Sequence, residues 1–193
     1  MPNNEHFAVL IIRASGGVAT MLSQLAKLHG FQTIGTARSE DKRLFALANG
    51  FDVVLESVPE TLTAQVMQTT QGRGVNLVYD HLGGAYLTAS MRSLSPMGLA
   101  VSYNIITGKP DTDVFGLMRE LLSKSLGVRC FSMHTFDENV TNRRALMNQA
   151  IELMAAHKVR APAATLMAFN QVVQAHIVLD SGATLGKIIL NPQ

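Results

Sequence analysis

The chain has no tryptophan, a single cysteine and few charges, and each shortage excludes something. Lone Cys130 rules out an internal disulfide and, within one chain, a cysteine-based structural zinc site. Sixteen Lys and Arg against 14 Asp and Glu leave a net charge of +2, and the basic residues are scattered, so nucleic acid is not an expected partner. Apolar runs are short. Phe7 to Ile12 is among the longest, far below the ~20 residues of a membrane-spanning helix. The N-terminal MPNNEHF has no basic region leading into an apolar stretch, so no secretory leader is expected and a cytoplasmic setting follows. Repeats and low-complexity linkers are absent too.

What is present is apolar character. Hydrophobic residues make up 47% of 193 positions and charged ones 16%, enough for one well-buried domain with apolar surface left over for a partner. Short apolar runs alternate with segments of helical period, the rhythm of βαβ units. Strands are expected at 8–12, 32–36, 53–55, 75–79, 99–103 and 127–131, apolar on both faces as buried parallel strands are. Helices are expected at 18–29, 61–70, 86–94 and 143–157, with another running from a Ser39 cap to Asn49. After Pro162 the pattern changes to a short run ATLMAF, a helix over 170–179, the turn DSG and a closing strand GKIIL. The fold class is therefore α/β, a doubly wound parallel sheet with helices on both faces.

Between the first strand and the first helix stands RASGGVAT, residues 13–20. In a strand–turn–helix context, Ala14, Ser15, Gly16, Gly17, Val18 and Ala19 occupy the six positions of a dinucleotide-binding loop. Gly16 falls where backbone must approach a pyrophosphate, and Ala19 where helix packs closely on strand. The free N–H groups at the helix start suit phosphate. Two glycines in a tight turn are the alternative reading. At the end of the second strand, GTARSEDKR has Arg38 where an NAD site usually has an acid, with Lys42 and Arg43 one turn further. That pattern favours a 2′-phosphate and hence NADP(H); a solvated basic helix start is the alternative.

These stretches, with GRGVNLVYDHLGG, SPMGLAVSYN and AHIVLDSGATLGKIIL, occur in the order found in one family. The chain resembles the nucleotide-binding domain of the zinc-independent quinone oxidoreductases of the medium-chain dehydrogenase/reductase superfamily. The resemblance implies a Rossmann domain over 1–160, with 161–193 returning to an N-terminal GroES-like domain that this sequence does not contain. It implies NADPH cradled by Ala14 to Val18, with Arg38 and Lys42 at the 2′-phosphate side. His81, Tyr103, Asn104 and Phe131 would then lie toward the nicotinamide half. The other histidines show no metal-ligand spacing, and no metal is expected. His81 could bond a ribose or shuttle a proton, or be simply solvated.

Three residues depart from the family's pattern: Arg13 replaces a small residue, Ser57 a frequent tyrosine near the adenine end, and Asn104 a common glycine. The implied activity is metal-independent, NADPH-dependent hydride transfer to a quinone, enone or similar carbonyl compound; no catalytic residue is assigned. The alternatives are a non-catalytic NADP(H)-binding sensor or interaction subunit, and a scaffold that binds nothing. The missing GroES-like half leaves three alternatives open: a fragment, a split subunit completed in trans, and a lone domain with a changed role. A homodimer is expected through the strand in LGVRCFSM.

Overall fold

The structure, a computed structural model, describes residues 7–110 and 112–192. MPNNEH, which carries most of the leader argument, lies outside the described residues. Six strands form one parallel sheet: β1 (Ala8–Ile11), β2 (Gln32–Ala37), β3 (Val53–Glu56), β4 (Val75–Asp80), β5 (Leu94–Ser102) and β6 (Gly127–Cys130), in the order β3-β2-β1-β4-β5-β6. The chain winds outward from β1 to β3, crosses over, and winds the other way from β4 to β6. β1 and β4 are neighbours at the reversal, with Ile11 paired to Tyr79. Ligands of open α/β sheets bind beyond the carboxyl ends of the strands at this point.

The centre of the sheet is buried because β1 and most of β2 are covered on both faces. Val9, Leu10, Ile11 and Ile12 are all 0% exposed. Val9 and Ile11 join one core cluster with Ala19 of α1 (Gly17–Leu28) and Ala46 of α2 (Glu40–Ala48). Leu10 and Ile12 join the other, with Leu62 and Val66 of α3 (Pro59–Thr69), Met91 of α4 (Gly84–Arg92) and Leu117 of α5 (Val114–Glu120). Helices therefore cover both faces, as the alternating pattern predicts. On the α1 face, however, β4 to β6 are bordered by an apolar groove of about 500 Å3, lined by Leu77, Tyr79, Leu99, Val101 and Phe131.

Several boundaries differ from the sequence reading. Ser39 occupies the N-cap of α2 with extended backbone, but its side chain makes no cap bond; Glu40 and Asp41 supply the first-turn negative charge. α5 has no counterpart in the sequence reading. It is only seven residues long, and its N-cap Asp113 accepts from the Phe115 amide at 3.0 Å. β5 begins at Leu94 rather than 99 because the pairing with β4 shifts register between Val75 and Leu77, and Met97 at φ 62 turns the extra residues.

Beyond β6, α6 (Val140–Ala155) has no buried residue. β7 (Ala164–Ala168), α7 (Val172–Asp180) and β8 (Lys187–Asn191) then form a small unit whose two strands pair in parallel, apart from the main sheet. This unit folds back onto the loop between β1 and α1. Gly186 bridges to Gly16, and its amide donates to the Ser15 carbonyl at 2.9 Å. Gly186 sits at φ 71, where a Cβ would lie 2.1 Å from the Ala163 carbonyl oxygen, so only glycine permits this crossing.

Candidate functional site

The β1–α1 loop is pinned to β2 from below. The Arg13 amide donates to Thr36 Oγ1 at 3.0 Å, and the Ala14 amide to the Thr36 carbonyl at 2.8 Å. Ala14 is fully buried, and a Cβ on Gly35 of β2 would come within 2.5 Å of its methyl group. Gly35, unflagged in the sequence reading, thus permits the close approach. Ala14 supports the loop from the core side rather than lining the cleft.

Gly16 is the N-cap of α1, at φ −83 and ψ 155. The first helical bond runs from the Thr20 amide to the Gly16 carbonyl at 3.0 Å. The amides of Gly17, Val18 and Ala19 precede it and have no intrahelical acceptor. They open toward a cleft of about 330 Å3 walled by Arg13, Ser15, Gly16, Gly17, Val18, Lys42, His81, Tyr103 and Asn104. The opposite wall comes from the tail, through Leu179, Gly182, Thr184 and Gly186. Gly16 is open on that side, since a Cβ there would meet only the Arg13 carbonyl oxygen, at 3.7 Å.

Beside the cleft lies a smaller pocket of about 120 Å3, lined by Arg13, Ser15, Thr36, Ala37, Arg38, Lys42, Ser181 and Gly182. Three of these residues are cations and none is an acid. Burial lowers the Lys42 pKa, and the charges of Arg13 and Arg38 lower it further. Its ammonium donates to the Gly182 carbonyl. Among the described residues, none of the three cations forms an ion pair. Arg43, read with them in the sequence, is instead paired with Glu40.

At the inner end of the cleft the His81 and Tyr103 rings stack with centroids 5.5 Å apart, and Tyr103 Oη lies 3.4 Å from His81 Nδ1. Burial, then the nearby Arg13 charge, brings the His81 pKa down to about 4, so the ring is neutral at pH 7. Burial and the Asp80 charge push the Tyr103 phenol up to about 12. Asp80 is 0% exposed and accepts from the amides of Leu82 (2.8 Å) and Gly83 (3.2 Å). Burial outweighs these bonds and raises its carboxyl to about 6.

The structure thus gathers Ser15, Gly16, Gly17, Val18, Lys42, His81, Tyr103 and Asn104 on one cleft. Arg38 lines the adjoining cationic pocket, and Phe131 the apolar groove that shares Val18 and Tyr103 with the cleft. Ser57 is turned away from them, since its hydroxyl donates to Tyr86 Oη at 3.2 Å within the core. Thr36 and the tail residues Gly182, Thr184 and Gly186 were not read as site residues. The one trace of the tail's role in the sequence is the glycine spacing of SGATLG.

The fold and the cleft define a Rossmann nucleotide-binding domain of dehydrogenase type. The chain belongs to the zinc-binding dehydrogenase family, whose model matches residues 17–156. It is 27% identical over 186 residues to a quinone oxidoreductase of Pseudomonas aeruginosa, a match covering 95% of this chain and 56% of the relative. The crystal structure of Pseudomonas syringae pv. tomato DC3000 quinone oxidoreductase superposes with a TM-score of 0.85 at 26% identity, over 99% of this chain and 58% of that one. The Escherichia coli quinone oxidoreductase complexed with NADPH gives 0.82 at 28% identity, over 97% and 57%. The resemblance drawn from the motifs therefore holds, and the chain spans little more than half the length of the relatives it matches. The family's name implies zinc, but among the described residues no three His, Cys, Asp or Glu side chains converge as donors. No step is assigned to a metal. Among the described residues, no helix is long and apolar enough to cross a membrane.

Proposed function

We propose that this chain binds NADP(H) and forms the cofactor half of a metal-independent reductase of quinones, enones or related carbonyl compounds. The observation that carries the reading is the acid-free pocket of Arg13, Arg38 and Lys42 beside the open glycine loop. Cations left without acidic partners in a small cavity repel one another, and a polyanionic ligand offsets that cost. The glycine loop suits a pyrophosphate, Arg38 and Lys42 suit a 2′-phosphate, and the groove reached past Val18 and Tyr103 suits the nicotinamide. Bound there, the cofactor supplies hydride. The protein's part is to orient it and to keep His81 neutral and Tyr103 protonated beside it. The quinone oxidoreductase relative that holds NADPH supports the same reading. The sensor alternative finds no support among the relatives named above, which are oxidoreductases.

Calorimetric titration tests this directly. NADPH is expected to bind in the micromolar range, about −8 kcal/mol, and more tightly than NADH. Arg38→Ala should weaken NADPH roughly tenfold to hundredfold, as loss of a charge-assisted bond does, and leave NADH unchanged. No heat with either cofactor would defeat the reading.

On the same reading the substrate pocket is completed by a GroES-like domain, in the same polypeptide or from a partner. A second proposal concerns assembly. Among the described residues β6 pairs with β5 alone and so presents a free edge, which fits a homodimer closed edge to edge. Sedimentation should show a dimer, and lysines at Val128 and Phe131 should convert it to monomer. An unchanged dimer would place the interface elsewhere.

A further inference from the structure

We infer that Arg13 is a specificity-determining residue whose guanidinium bridges two phosphate positions of one ligand, serving the glycine-loop cleft and the cationic pocket together. The inference rests on the nucleotide-binding reading above and goes beyond it, because that reading counts Arg13 among the pocket's cations but gives it no phosphate of its own.

Arg13 lines both cavities, the 330 Å3 cleft and the 120 Å3 pocket. Its charge is felt at both ends, by His81 at the inner end of the cleft and by Lys42 in the pocket. No acid lines either space, and among the described residues Arg13 has no ion-pair partner. Its side chain is an unneutralised fork of donors standing between two places suited to anions, and guanidinium recognises phosphate in bidentate fashion.

The backbone at Arg13 is in the left-handed region at φ 64, where glycine is strain-free and an arginine is not. The conformation is held from three sides. Its amide bonds Thr36 Oγ1 at 3.0 Å, its carbonyl accepts from the Gly16 amide at 3.3 Å, and the next amide bonds the Thr36 carbonyl at 2.8 Å. This bracing fixes where the long side chain starts. The end of the side chain rests beside the tail, where a Cβ on Gly182 would lie 3.6 Å from the guanidinium nitrogen, an ordinary contact distance. The ligand class that fits is a nucleotide bearing two phosphate groups within one arginine's span, such as a pyrophosphate and a ribose 2′-phosphate.

The test compares Arg13→Gly with Arg38→Ala by calorimetry against NADPH, NADH and 2′,5′-ADP. Glycine suits φ 64, so the Arg13→Gly variant should melt no lower than the parent, and this confirms that it is folded. Arg13→Gly should weaken NADH roughly tenfold, through the phosphate on the glycine-loop side alone, and NADPH and 2′,5′-ADP roughly tenfold more, because only those two also present a 2′-phosphate. Arg38→Ala should weaken only NADPH and 2′,5′-ADP. If Arg13→Gly weakens only the two 2′-phosphorylated ligands, or weakens all three equally, Arg13 serves a single phosphate position and the bridging role is overturned. Unchanged or tighter binding of NADPH by Arg13→Gly also overturns it, since Arg13 then merely crowds the cleft. A parent that binds none of the three defeats the nucleotide-binding reading itself, which separates that failure from the others.

Discussion

A Gly16→Val variant is expected to fold like the parent and to lose measurable nucleotide binding. The backbone at Gly16, φ −83 and ψ 155, is ordinary extended geometry that valine adopts readily. A Cβ there meets nothing closer than the Arg13 carbonyl oxygen at 3.7 Å. The stability cost is that of a poorer N-cap, about 1 kcal/mol, which lowers the melting temperature by roughly 2–4 °C in a chain of this size. The methyl groups, however, project into the space that phosphate oxygens must share with the amides of Gly17 to Ala19, and binding should fall by more than about a hundredfold. Gly35→Val is the contrasting control. There the added carbon would lie 2.5 Å from the Ala14 methyl and 2.8 Å from the Phe51 ring, so the fold itself should suffer. Thermal melts and calorimetry on the two variants separate a glycine used for ligand approach from one used for packing. Retained NADPH affinity in Gly16→Val would remove the glycine loop from the binding site.

The second large effect concerns pH. Asp80 has its folded pKa raised to about 6 from 3.8, so its contribution to stability is present below pH 4 and is lost as pH rises through 6. His81 has its folded pKa lowered to about 4 from 6.5, so its contribution is present above pH 6.5 and is lost as pH falls through 4. The two neighbours oppose each other over the same window. In the parent the folded chain keeps one proton on Asp80 where the unfolded chain keeps it on His81, and stability changes little between pH 4.5 and 6.5. Removing either partner exposes the other. His81→Gln should lose stability relative to the parent as pH rises from 4.5 to 7. At about 1.4 kcal/mol per pKa unit, the fully buried Asp80 contributes about 3 kcal/mol over the whole range from 3.8 to 6, of which about 2 kcal/mol falls above pH 4.5. Asp80→Asn keeps an oxygen for the Leu82 amide and should show the reverse slope. Its amplitude should be about 2 kcal/mol rather than the nearly 3 kcal/mol that about two pKa units above pH 4.5 would give, because His81 is partly exposed to solvent that screens the effect. Urea denaturation at pH 4.5, 5.5, 6.5 and 7.5 checks this. Slopes of the same sign in the two variants would show that the adjacent pair does not titrate in this opposed way.

Much of the fold was legible because it is local. A run such as AVLII is apolar enough to be buried on both faces, and helical segments between such runs enforce parallel crossovers, so the order of elements follows from periodicity alone. The exceptions are elements that periodicity does not mark. α5 is too short to show an amphipathic stripe, and the early start of β5 depends on a bulge whose cause is pairing with β4. Of the residues that line the candidate cleft and its adjoining pocket, Gly16, Arg38 and Lys42 are legible in the sequence because each stands at a fixed offset from a strand end. Ala14 fits the same motif, yet it faces the core, because a loop of this tightness must turn one small residue inward against Gly35.

The alternation of strands and helices, the glycine turn after β1, and the basic rather than acidic end of β2 are all written in the order of residues. Tertiary structure decided that the tail walls the cleft and that Lys42 reaches Gly182, a contact spanning 140 residues. It also decided that Arg13 belongs to two cavities at once, and that burial sets Asp80 and His81 against each other. The physical reason is one of range. Propensity and periodicity act over a few residues and are written locally, whereas cavities, desolvation and charge proximity arise only when distant segments pack together.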